Sequence, residues 1–140
     1  MARATQRVKV FVVRKNLWMY NDEFTDLVGS EPILTFRDRA KAEEHRRDLE
    51  RRARRGEFGC ALFNPFNMAG YELDDQTSLT EDELAEAVEA LGLEPSDGNW
   101  HGWWSEHADG FTPEQREALW ALFDEIAFFE VVADEVEVRA

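Results

Sequence analysis

Phe36-Arg37-Asp38-Arg39-Ala40-Lys41-Ala42-Glu43-Glu44-His45-Arg46-Arg47-Asp48-Leu49-Glu50-Arg51-Arg52-Ala53-Arg54-Arg55-Gly56 decides the fold. The stretch predicts a helix over 38–55. Asp38 can accept from the unpaired N–H groups of the first turn. Gly56 can close the helix in a left-handed conformation, and arginines crowd the last turn, where the dipole favours cations. Its apolar stripe is thin: Ala42, Leu49 and Ala53, with His45 or Arg46 between. Small residues there predict close packing on a sheet. Glu43 with Arg47 and Asp48 with Arg52 are spaced for intrahelical pairs. Arg51, Arg52, Arg54 and Arg55 are only partly compensated. They suit either a solvated face or an anion- or nucleic-acid-binding ridge, and the solvated face is the simpler reading.

Working outward, short apolar runs flank the helix at 33–36 and 58–63. Both read as strands. Val8, Val10 and Val12 alternate with Phe11 and Val13, which predicts a strand over 8–14 that can be covered on both faces. Aromatics continue to Phe24, with a turn at Asn21-Asp22, and Gly29-Ser30-Glu31-Pro32 reads as a break. The first two strands should pair as an antiparallel hairpin with a long loop. The tail, 128–138, reads as a further strand or two pieces, with Val136 and Val138 facing inward.

Between these parts lie two strong helix signals. Thr80-Glu81-Asp82-Glu83 is a capping box followed by Leu84, Val88 and Leu91, and Gly92 stops it. Thr112-Pro113-Glu114-Gln115 is a second box with proline at the first helical position. The expected fold class is therefore α+β: a small antiparallel sheet of about four strands, packed by the arginine-rich helix. An acidic helical pair is inserted. One domain, 1–140, is expected. Segments 1–63 and 127–140 supply the sheet and its helix, and 64–126 the insertion with a tryptophan-rich loop.

Ile33-Leu34-Thr35-Phe36-Arg37-Asp38-Arg39-Ala40-Lys41-Ala42-Glu43, with the closing runs Phe129-Glu130-Val131-Val132 and Val136-Glu137-Val138, resembles a pattern seen in small uncharacterised bacterial and phage proteins. That pattern is a strand, Phe-x-Asp, an alanine-rich helix and a closing strand. The resemblance implies the fold and carries no catalytic residues.

Charge is divided along the chain. Residues 1–70 hold 14 Lys/Arg against 10 Asp/Glu, whereas residues 71–140 hold 2 against 20, for an overall net charge of −14. An extended nucleic-acid surface is not expected on the acidic half, because phosphate would be repelled. No apolar run reaches the ~18 residues of a membrane helix. No signal peptide is recognisable, and a cytoplasmic location is expected. Cys60, the one cysteine, excludes an internal disulfide and reads as a small buried side chain.

The most unusual stretch runs from Ser96 to Gly110 and holds Trp100, Trp103 and Trp104 with His101 and His107. Tryptophan combines a large apolar face with one N–H donor, which suits a recognition surface. The same rings could fill the space between helices and sheet. Trp100, His101, Trp103 and Trp104 are the candidate binding residues. No catalytic residue, cofactor or metal site is expected: the histidine spacing matches no zinc signature. A calcium loop over 72–83 fails because Thr77 occupies the glycine position. The function expected first is a non-enzymatic module that binds a protein through its acidic half and tryptophan loop. The alternatives are a small enzyme with a His/carboxylate site and an acidic nucleic-acid mimic that binds a basic protein. Monomer and homodimer are not distinguished.

Overall fold

A computed structural model describes residues 5–20, 25–58, 64–67, 77–123 and 126–139. The elements in chain order are β1 (Thr5–Tyr20), β2 (Thr25–Phe36), α1 (Arg39–Arg54), α2 (Glu81–Ala90), α3 (Trp100–His107), α4 (Pro113–Ala121) and β3 (Phe129–Arg139). Short 3-10 turns occur at Pro65–Asn67 and Ala108–Gly110. The fold class is α+β. No helix among the described residues is long and apolar enough to cross a membrane.

The three strands form one antiparallel sheet in the order β2-β1-β3. Residues 11–20 of β1 pair with β2, and residues 5–15 pair with β3. Only the middle of β1 therefore has a neighbour on each side, and a two-stranded ribbon extends from either end. The expected strand over 58–63 lies, apart from Phe58, outside the described residues.

The hairpin differs from expectation. Gly29-Ser30-Glu31-Pro32 does not break the chain; it lies within β2. The ladder absorbs it by two register shifts, where Ile33 and Val28 are each left over opposite β1. Pro32 is tolerated because β2 has no second neighbour among the described residues, so a missing N–H need not break a ladder. The bulged residues Val28 and Ile33 are both exposed.

Alternation on β1 defines two faces. Phe11 and Val13 pair with Ala133 and Val131 and point toward the helices, where Val13 is fully buried. Phe129, at the start of β3, joins the same core. Val8, Val10 and Val12 lie on the other face with Val132 and Val136 of β3. There Val136 and Val138 are 40% and 39% exposed. The expected inward orientation of Val136 and Val138 is thus wrong. The strand has two apolar rows, and the helices cover the row containing Val131. Val10 alone of the valine row is buried.

Asp38 caps α1, its carboxylate accepting from the N–H of Ala40, and Ala42, Leu49 and Ala53 are buried in the cluster that contains Val13 and Phe129. Gly56, just beyond the helix, has φ +96°, a conformation that glycine adopts without steric cost. Both expected capping boxes form, at Thr80/Glu83 and Thr112/Gln115. The expected tryptophan loop is instead a third helix of the insertion, α3. Asn99 accepts at its start from the N–H of Gly102. A Cβ at Gly102 would lie 2.6 Å from the Asn99 amide nitrogen, so this glycine makes room for the cap and does not break the helix.

One buried carboxylate ties the layers together. Both oxygens of Glu50 accept from the backbone N–H of Phe128, at 3.0 and 3.1 Å. Arg54 lies 3.5 Å away. Burial pushes the Glu50 carboxyl above its usual range, against the opposing pull of the Phe128 N–H and then of Arg54. The folded-state pKa is above the unfolded one, so this group's contribution is fully present below the unfolded pKa. It is lost as pH rises through the folded pKa. Wild-type stability relative to Glu50→Gln is therefore expected to fall as pH rises from about 4.5. Paired urea titrations across that window measure it, and a pH-independent difference would contradict the assignment. Glu50→Ala, which leaves a buried N–H and guanidinium unpaired, is expected to cost about 3 kcal/mol.

Candidate functional site

The rings at 100, 103 and 104 recur at helical spacing and therefore share one face of α3. That face is turned inward. Trp100, Trp103 and Trp104 are 7%, 6% and 2% exposed, and Trp120 of α4 is 1% exposed. Trp104 meets Trp120 edge to face at 5.5 Å, and Trp120 meets Phe128 at 5.0 Å. Phe66 stacks on Trp100 at 5.9 Å and meets Phe123 at 5.0 Å. These are the offset and edge-on geometries that ring quadrupoles favour. The rings fill the space between helices and sheet, and Trp103 reaches the surface only as part of a cleft floor.

Polar atoms of the cluster are engaged locally. Trp103 Nε1 donates to the Glu94 carbonyl at 2.7 Å. His107 Nδ1 lies 2.7 Å from the Trp103 carbonyl, and its ring stacks on Trp103 at 5.3 Å. Trp120 Nε1 is buried with no hydrogen-bond partner among the described residues.

Above Trp103 lies a shallow cleft of about 310 Å³, bounded by Glu94, Asp97, Asn99, Glu106 and His107. His101 does not line it. Six residues along a helix correspond to about 240° of rotation, so His101 and His107 face different directions. Among the described residues, no three His, Cys, Asp or Glu side chains converge closely enough to hold a metal ion. His101 is exposed, and its backbone carbonyl accepts from Asn64.

The surface around this aromatic core is acidic. From Glu81 to Glu117 the sequence holds eleven carboxylates and one cation, Arg116. All the carboxylates but Glu117, which is half-buried, are exposed. Arg116 turns inward: its guanidinium lies over the Phe111 ring and donates to the Ala108 carbonyl, and burial lowers its pKa. Arg55, at the C-terminal cap of α1, reaches across to Glu114 at 3.2 Å and Glu117 at 3.4 Å. Glu114's carboxyl is held below its usual range, first by its own backbone N–H and then by Arg55.

Sequence reasoning did not single out Glu50. The available signal was an acid at the helical position four before Arg54, on the flank that carries Ala42, Leu49 and Ala53. No protein-family model, curated protein or solved structure matches this chain.

Burial separates the four candidate residues by substitution. Trp104→Ala is expected to cost about 3–5 kcal/mol of folding stability, and His101→Ala less than about 0.5 kcal/mol. Chemical denaturation of the two variants measures this. A Trp104→Ala protein as stable as wild type would remove the ring from the core.

Proposed function

We propose that the chain is a non-enzymatic protein-interaction module whose acidic helical half receives a basic surface of another protein. One observation carries this reading. The α2–α4 surface displays its carboxylates to solvent, while the one cation in that stretch, Arg116, is directed inward. Opposite charge steers such an encounter and sets its orientation, and rim charges act mainly on the association rate. The tryptophans support the reading indirectly. They pack α3 against α4, which leaves the carboxylates of that part of the chain on the outside. His101, exposed on α3, belongs to the surface that would meet the partner. The same surface would serve a mimic of a phosphate backbone, whose partner is also basic.

The test reverses charge on the exposed face of α2. Wild type and a Glu81→Lys/Glu86→Lys/Glu89→Lys variant are used for affinity capture at low and raised salt, after circular dichroism has verified the fold. Partners held by wild type should be basic, should be lost by the variant, and should dissociate as screening shortens the range of attraction. Capture that is unchanged by the reversal and insensitive to salt would refute the acidic surface as the interface.

A further inference from the structure

A basic cup lies between α1 and α4, at the margin of the acidic platform. Arg47, Arg51 and Arg54 recur at i, i+4 and i+7 and so form one stripe of the helix. Arg46 lies beside that stripe. Together with Glu50 below and Glu117 and Ala121 of α4 on one side, they bound an open cavity of about 400 Å³. Four guanidinium groups thus face two carboxylates.

Arg46 is committed to Glu43, its Nε donating at 3.0 Å; the other three guanidinium groups are held more loosely. Arg47 makes no ion pair among the described residues. Arg51 pairs with Asp48 at 3.3 Å, but both side chains are about half exposed, and such pairs contribute little. Glu117 is held by Arg55. Glu50 is occupied by the Phe128 N–H. Its contact with Arg54 is long, at 3.5 Å, and Arg54 Nε is buried with no hydrogen-bond partner among the described residues. Glu43, Asp48 and Glu50 thus offset part of the cup's charge, and the donors of Arg47 and most of those of Arg51 and Arg54 remain unused among the described residues.

We propose that this cup binds a phosphate group, as free phosphate or as the monoester of a small molecule. Planar guanidinium forks match tetrahedral oxyanions and donate two parallel hydrogen bonds each. A volume of about 400 Å³ takes one such group with a small organic portion. A nucleic-acid strand fits poorly, because continuing past the cup it would meet Glu117 and the acidic helices.

Inorganic phosphate and glycerol phosphate are titrated into the full chain at constant ionic strength. The arginine Nε–Hε resonances of α1 are followed by NMR. Saturable shifts at Arg47, Arg51 and Arg54 are expected, with chloride giving none. Arg47→Gln/Arg51→Gln should weaken binding at least about tenfold. Both side chains lie at the surface, and unchanged helicity would show that the fold is kept. Arg52→Gln is the control: its guanidinium is directed to Glu57, at 2.6 Å. Tighter binding of glycerol phosphate than of phosphate would assign the site to a monoester, and the reverse order to the free ion. Absence of saturation, equal weakening by Arg52→Gln, or a short oligonucleotide binding far more tightly than either probe would overturn the proposal.

Discussion

A carboxylate buried between helix and sheet fixes how the layers of this protein meet. Glu50 holds the Phe128 N–H with both oxygens. The Phe128 carbonyl accepts from the N–H of Asn16, and the Ala127 carbonyl accepts from the Asn16 side chain and from Trp18 Nε1. α1, β1 and the chain leaving α4 are therefore joined at one short segment of backbone. Ile126, Phe128 and Phe129 are buried around that junction. Their packing needs the backbone turned one way, and the hydrogen bonds supply that turn. A backbone N–H buried here without an acceptor would be expensive, so the position of α1 along the sheet follows from the position of Glu50 along α1.

What the sequence made legible was chemistry completed within a few residues. The two capping boxes, Asp38 at the start of α1 and Gly56 beyond its end all read correctly, because donor and acceptor lie within one helical turn. Features that depend on distant partners read less well. Val136 and Val138 look like core residues by alternation, yet a strand with two apolar rows does not say which row the helices choose. The stretch from Ser96 to Gly110 read as a tryptophan-rich loop. Only the Asn99 cap reveals that Gly102 is compatible with a helix. The inward turn of the rings required α4 and Phe66 as neighbours, and neither is adjacent in sequence. The basic cup was half visible as an arginine run, but its other wall comes from α4.

Charge is separated in space as well as in sequence. The arginines of α1 lie against α4 through Arg55, Glu114 and Glu117, where the basic and acidic parts of the chain meet. These parts meet again across the sheet, where Arg7 of β1 bridges Glu135 and Glu137 of β3. The acidic platform and the arginine cup adjoin at α4, where Glu117 belongs to both.

The pairing of β1 with β3 has a kinetic consequence. Arg7 and Glu135, which bridge these strands, are 128 residues apart in the chain. The middle strand of the sheet is made early and acquires its second neighbour only once the whole helical insertion has been synthesised. Until then the β1–β2 hairpin carries its valine row with one edge open, and a hairpin alone is marginally stable in water. Closure of so long a loop slows the search for the native pairing. The ladder between the two strands, rather than any single helix, sets when this chain becomes a folded protein.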